Sequence, residues 1–292
     1  MSIKNELQRC VHGILKRNQD GAFETQHARR KVLFKAVADL CANGYKLRHI
    51  QGLKQKHVRF LNELWQSRGL AVATIKNRNA HLRWLCEKTG KNNLMPSNEE
   101  LGTGKRQYSN NQPSGVDLKD VALEKISNKH IYVQIHLQQY LGLRREECIK
   151  IRPHLADQGD HLVLQPSWCK GGRGRVIPIV TPEARRWLNE AKSLAASPDK
   201  SLIPEKRSYI QHRQLYDKQL QRAGVKHPHG LRHTYAQERY LRLTGWECPK
   251  RGGFTSRQLT TIQKEKDRHA RLLISQELGH AREQITVVYL GR

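Results

Sequence analysis

Apolar positions in the first hundred residues recur at three- and four-residue spacings, the period of a helix with one buried face. Between His27 and Asn43 the stripe is Val32, Leu33, Ala36, Val37 and Leu40, and Gly44 follows as a stop signal. His57 to Gly69 repeats the pattern through Val58, Leu61, Leu64 and Trp65. Ala73 to Thr89 repeats it through Ile75, Leu82, Trp84 and Leu85, with Lys76, Arg78 and Arg83 on the same helix. Residues 1–105 are therefore expected to form an all-helical domain. From Asn93 to Val116 the periodicity lapses into Asn, Ser, Gly, Pro and Gln, the composition of a linker. The linker is placed at 106–117 and a second domain at 118–292.

The second half has a mixed pattern. Val121 to Leu141 reads as helices. His161 to Leu164 and Arg175 to Ile179 are short, β-branched runs that read as strands. Between them Lys170-Gly171-Gly172-Arg173-Gly174 reads as a hairpin turn, because glycine tolerates the positive φ that such turns need. Thr181-Pro182-Glu183 has the order of a helix start, with Thr as cap and Pro in the first turn. The remainder reads as helical except for Thr244 to Thr255. The expected fold class is mainly α with a small β-hairpin, an α+β arrangement.

Charge changes the picture more than composition does. The 292 residues carry 53 Lys and Arg against 26 Asp and Glu, a formal net charge of +27. Residues 1–100 hold 19 basic and 8 acidic residues, and residues 101–292 hold 34 and 18. The surplus, +11 and +16, is therefore spread over both halves. A polyanion that touches both is the natural partner, and nucleic acid fits; ribosomal RNA is the plainer alternative to DNA. The three cations of the third helix could serve a DNA-facing surface or simply a solvated one. No apolar run approaches the roughly 20 residues of a membrane span, and the opening residues lack the pattern of a signal peptide. Six cysteines occur, none in CxxC spacing, so neither a zinc site nor another metal is expected. Free thiols fit a reducing, cytoplasmic setting, close to the nucleoid if the partner is DNA.

Four short motifs then carry the chemistry. In chain order they are Gly142-Leu143-Arg144-Arg145-Glu146-Glu147, Lys170 in the Gly/Arg turn, His229-Gly230-Leu231-Arg232-His233, and Leu278-Gly279-His280 followed by Tyr289. Taken singly, each has an ordinary reading: a surface ion pair, a packed histidine, a buried aromatic. Together they supply two arginines, a lysine, histidines and a tyrosine, a set suited to attack on a phosphodiester without a metal. Negative charge builds on the non-bridging oxygens during such an attack, and arginine, always charged, can hold two of them at once.

In combination and order these motifs resemble the tyrosine recombinase (phage integrase) family, over roughly residues 120–292. The resemblance extends to the first half only in style, as a helical core-binding domain ahead of a catalytic domain. It implies a C-shaped clamp on double-stranded DNA, self-association as a tetramer, and in some settings an accessory DNA-bending protein. It implies roles for residues as well. Arg144 and Arg232 match the phosphate-clamping arginines, and Tyr289 the nucleophile that forms a 3′-phosphotyrosine bond. Lys170 matches the general acid that protonates the leaving 5′-oxygen. His229 matches a phosphate donor or the proton acceptor for Tyr289, and His280 a third phosphate ligand. Glu147 and His233 would support the site, and Arg173 and Arg175 would rest on DNA phosphates beside Lys170. Arg145 would face solvent or the DNA backbone.

Two departures from the family pattern stand out. The interval from Arg232 to His280 is about twice the usual one, and its excess, near Leu243 to Arg271, could be a DNA- or subunit-contacting insertion or a solvated loop and helix. The chain also ends at Arg292 without the further helix that many relatives dock on a neighbour. The resemblance implies a site-specific recombinase that integrates or excises a mobile element. A resolvase or type IB topoisomerase would use the same chemistry. A DNA-binding protein that has lost catalysis, or a metal nuclease needing clustered carboxylates, would not.

Overall fold

The computed structural model describes residues 3–107, 111–280 and 282–292, so residues 108–110 of the expected linker lie outside it. Contacts divide the chain into two compact units, residues 1–107 and 108–292.

The first unit is all helical. Helices α1 (Ile3–Arg17), α2 (Phe23–Ala42), α3 (Gln55–Ser67) and α4 (Val72–Lys88) pack around one core. The three expected helices appear as α2 to α4, each within a few residues of its predicted ends. The separate helix α1 was not resolved by periodicity, because its buried stripe is only Leu7, Val11 and Ile14. At the centre Trp65 is fully buried, and its indole donates to Asp39 at 3.1 Å. Full burial of one such side chain contributes about 1.5–3 kcal/mol.

Lys76, Arg78 and Arg83 of α4 are half-buried. Arg78 lies over the Trp65 ring at 4.9 Å, where burial lowers its pKa. Arg83 donates to the Pro96 carbonyl at 3.0 Å.

The second unit is a helical body with one small sheet. Its elements are α5 (Lys129–Leu141), α6 (Arg145–Lys150), α7 (Pro153–Ala156), β1 (His161–Leu164), β2 (Arg175–Pro178), α8 (Pro182–Leu194), α9 (Tyr209–Arg222), α10 (Gly230–Thr244), α11 (Thr261–Glu277) and α12 (Val287–Leu290). Of the helices expected over Val121 to Leu141, the α-helix begins at Lys129. Asn128 caps it by accepting from the Ile131 N–H at 3.1 Å, and the residues before it form short 3-10 turns. Thr181 caps α8 as its sequence predicts, accepting from the Ala184 N–H at 3.0 Å.

Strands β1 and β2 pair antiparallel, with Leu164 opposite Arg175. The connection therefore spans residues 165–174, longer than a tight hairpin, and Gly171 and Gly172 take positive φ within it. Helix α5 crosses the middle of the unit, packed on α8 and α10. Its buried Gln134 and Gln138 are satisfied by His212 and Tyr216 of α9. Among the described residues no helix is long and apolar enough to cross a membrane, and all six cysteines are free.

Candidate active site

Two helix ends create the site. Helix α5 stops at Gly142, which takes φ 61° and lies so close to the Tyr235 ring that a Cβ would sit 2.5 Å from it. The chain turns there, buries Leu143 completely and presents Arg144 at the start of α6. Helix α11 stops at Leu278. Gly279, at φ 65°, reverses the chain, and the His280 N–H closes the turn on the Ser275 carbonyl at 2.9 Å. A side chain at 279 would strike Arg175, with its Cβ 2.9 Å from Cδ. The reversal leaves the Leu278 carbonyl free of helix bonds, and both candidate arginines use it. Arg144 donates to it at 2.9 Å, and Arg232 donates to it as well as to the Gly142 carbonyl.

Arg232 enters from the first turn of α10 and is completely buried. Burial pushes its pKa down to about 10, so it stays charged at neutral pH. Its Nε lies 3.4 Å from the Tyr289 hydroxyl. The same hydroxyl lies 3.2 Å from Nε2 of His229 and 3.2 Å from Nε2 of His280. Tyr289 itself, on the single turn α12, is only 3% exposed. Two motifs whose members lie up to 60 residues apart thus converge on one phenolic oxygen.

The protonation states follow from the surroundings. Burial, with the charges of Arg232 and Arg144, pushes both His229 and His280 down to about 4. Both are neutral near pH 7. Arg232 can only donate, so where it meets His280 Nε2 at 3.4 Å that nitrogen is the acceptor. The hydroxyl proton of Tyr289 then has His229 Nε2 as its unshared acceptor.

Glu147 sits beneath Arg144, fully buried. Its carboxylate accepts from the Arg144 N–H at 2.7 Å and side chain at 2.6 Å, and from two nitrogens of Arg175 at 2.8 and 2.7 Å. Burial alone would raise its pKa, but the Arg175 and Arg144 interactions outweigh it and hold the carboxyl at about 2. Arg175 is therefore a correction to the expected DNA contacts. Strand alternation turns it inward with Ile177, and it braces Glu147 and the Glu277 carbonyl instead of a phosphate. Arg145 is paired at the surface with Asp217 at 2.6 Å.

His233 packs its ring 4.6 Å from the Tyr289 ring and shares a 2.8 Å hydrogen bond with Ser114. Lys170 and Arg173 are exposed on the β1–β2 connection, and among the described residues no hydrogen bond ties Lys170 to the tyrosine cluster. No group of three or more His, Cys, Asp or Glu among the described residues is placed to hold a metal ion.

Buried histidines make a separate prediction. Burial pushes His136 and His212 down to about 4 and His233 to about 3. In the unfolded chain histidine titrates near 6.5. Below that value the unfolded chain takes up protons that the folded chain refuses. Stability is therefore expected to fall as pH drops from about 6.5 towards 4, by roughly 1–2 kcal/mol per histidine at pH 5. Thermal melts between pH 7.5 and 4.5 test this, and a flat melting temperature across that range would contradict it.

A tyrosine hydroxyl held by an arginine and two neutral histidines, in a basic chain, is an arrangement suited to breaking and rejoining DNA through a protein tyrosine. Comparison with known proteins agrees. The family model described as "Phage integrase, N-terminal" matches residues 5–95, and that described as "Integrase" matches residues 105–238. The chain belongs to the phage integrase family of tyrosine recombinases. Among solved structures, a lambda integrase dimer bound to a COC′ core site is similar at 13% identity and TM-score 0.62, covering 95% of this chain and 76% of that one. The XerH recombinase bound to its difH substrate is similar at 15% and 0.57, covering 97% and 80%. The Tn1549 transposon integrase in complex with circular intermediate DNA is similar at 14% and 0.54, covering 100% and 96%. No curated protein matches the chain by sequence. The second family model ends at residue 238, so His280 and Tyr289 lie beyond it.

Proposed function

We propose that this integrase is a site-specific recombinase of a mobile element that cleaves double-stranded DNA with Tyr289. The carrying observation is the convergence of Arg232, His229 and His280 on the Tyr289 hydroxyl. The hydroxyl oxygen attacks the scissile phosphorus and His229 Nε2 takes its proton. A phenol ordinarily titrates near 10, so it needs such an acceptor and a cationic pocket. Arg144 and Arg232 donate to the non-bridging oxygens as charge builds there, and His280 lines the same pocket. The bond from phosphorus to the 5′-oxygen breaks, and Lys170 supplies the proton that leaves a 5′-hydroxyl. Attack by another strand's 5′-hydroxyl reverses the sequence. Bond energy is kept in the phosphotyrosine throughout.

Glu147 has the separate task of fixing Arg144. With four donors on it, that carboxylate is poorly suited to ligate a metal. Both units are basic, so DNA engages the linker-joined domains together, with Arg173 on the phosphates beside Lys170 and the α4 cations contributing from the first domain. The similar structures are complexes with DNA, one of them a dimer, which supports assembly on DNA, and we extend this to a tetramer acting on two duplexes. A nucleoid location and help from a DNA-bending protein fit this role.

The test is denaturing recovery of protein–DNA adducts from cells expressing the chain, followed by sequencing of the attached ends. Adducts at 3′ ends, clustered at few sites, are expected. Arg144→Ala should reduce adducts at least 100-fold, the scale of losing one transition-state donor. DNA affinity should change only a few-fold, because many other cations hold the backbone. Adducts at 5′ ends, or parallel loss of binding and cleavage, would refute the assignment. Relaxation of supercoiled plasmid without strand exchange would instead identify a topoisomerase.

A further inference from the structure

The long interval between Arg232 and His280 is a largely exposed loop and helix with a buried start. Cys248, Pro249 and Lys250 are buried, and the segment reaches α12. Helix α12 is one turn of four residues, too short to hold its own conformation. Its backbone is gripped from outside. Gln237, on α10 and 2% exposed, donates Nε2 to the carbonyl of Tyr289 itself at 3.0 Å. The Oε1 of the same amide accepts from Arg251 of the interval at 3.1 Å, which fixes which end of the amide faces the tyrosine. Arg271, 6% exposed on α11, donates to the Gly291 carbonyl at 3.0 Å. Asp267 holds that guanidinium at 2.8 and 2.9 Å, and Tyr240 in turn donates to Asp267. None of these residues touches the Tyr289 hydroxyl.

We infer that Gln237 and Arg271 are positioning residues for the nucleophile, and that the interval from Trp246 to Arg271 is built to hold them. The inference rests on the reading of Tyr289 given above. The two side chains hold the carbonyls of Tyr289 and Gly291 and so set the height and tilt of the phenol. A misplacement of about 1 Å at a reacting group costs on the order of 100-fold in rate.

The test uses the full chain and a nicked duplex carrying the site mapped from cellular adducts, with covalent capture measured in a single turnover. Gln237→Glu keeps the acceptor for Arg251 but loses the donor to Tyr289. Arg271→Leu removes the grip on Gly291, and Arg271→Lys keeps one donor. Capture is expected to slow at least tenfold in Gln237→Glu and Arg271→Leu at unchanged DNA affinity, with partial recovery in Arg271→Lys. Backbone amides of residues 288–292 should exchange hydrogen faster in the slow variants, while α5 and α8 keep wild-type protection. A purely structural role would lower melting temperature and DNA binding and leave the capture rate of the folded fraction unchanged. Wild-type capture rates in Gln237→Glu and Arg271→Lys would overturn the inference even if Arg271→Leu failed to fold. Wild-type protein that captures no DNA would overturn the reading of Tyr289 instead, and the exchange data would still report whether α12 is anchored.

Discussion

Tyr289→Phe is expected to bind DNA as tightly as the wild type and to capture none of it. The substitution removes one oxygen. The ring stays in its place against His233, and among the described residues the hydroxyl is engaged by Arg232, His229 and His280. Loss of a nucleophile from a catalytic constellation costs on the order of a million-fold in rate. Leaving the Arg232 Nε without this partner costs about 1 kcal/mol or a little more, too little to unfold the unit. Gel shift, melting and adduct recovery on one preparation separate these effects. Adducts that persist in the Phe variant would mean that another residue attacks.

The second large effect is expected at Glu147. Glu147→Gln removes one charge from a fully buried group that pairs with Arg144 and Arg175. Breaking a buried pair by neutralising one member costs about 3–5 kcal/mol, because the remaining charge is left uncompensated. For a unit of this size the melting temperature should fall by roughly 10 °C. Capture should fall too, since Arg144 loses the support that aims it. The pH dependence has a definite sign. The folded carboxyl is held near 2, below the ordinary carboxylate range, so its stabilisation is present above about 4.5 and fades as pH falls from there towards 2. In Glu147→Gln that acid limb should flatten. An unchanged melting temperature with unchanged capture would show that the buried carboxylate does neither job.

How much of this was legible in the sequence depends on whether a signal is local. Helices α2 to α4 are legible because their stripes are long, whereas α1 is covered only by the all-helical reading of residues 1–105, because its stripe is three residues. The Gly-Leu-Arg and Leu-Gly-His runs were readable because each combines a helix stop, a buried leucine and a polar side chain in three positions. Arg175 was misread for want of a phase. In Arg175-Val176-Ile177 alternate residues share a face, and once Ile177 is taken as core, Arg175 must point inward beside it. The 53% exposure of Val176 confirms the phase. Gln237 and Arg271 left no such trace. They meet the tyrosine helix across 52 and 20 residues, through backbone carbonyls that carry no residue identity. Long-range hydrogen bonds to main chain are invisible to any pattern of side-chain types.

The shared use of the Leu278 carbonyl has an evolutionary consequence. One oxygen sets the spacing between two guanidinium groups that come from helices 88 residues apart in the chain. Whatever lies between α10 and the end of α11 can change in length only where the chain still returns to deliver that oxygen and the glycine after it, and still seats Arg251 on Gln237 and Arg271 on Gly291. The constraint on the spacing of the two guanidinium groups falls on a main-chain atom, and so on the path of the chain as much as on its side chains.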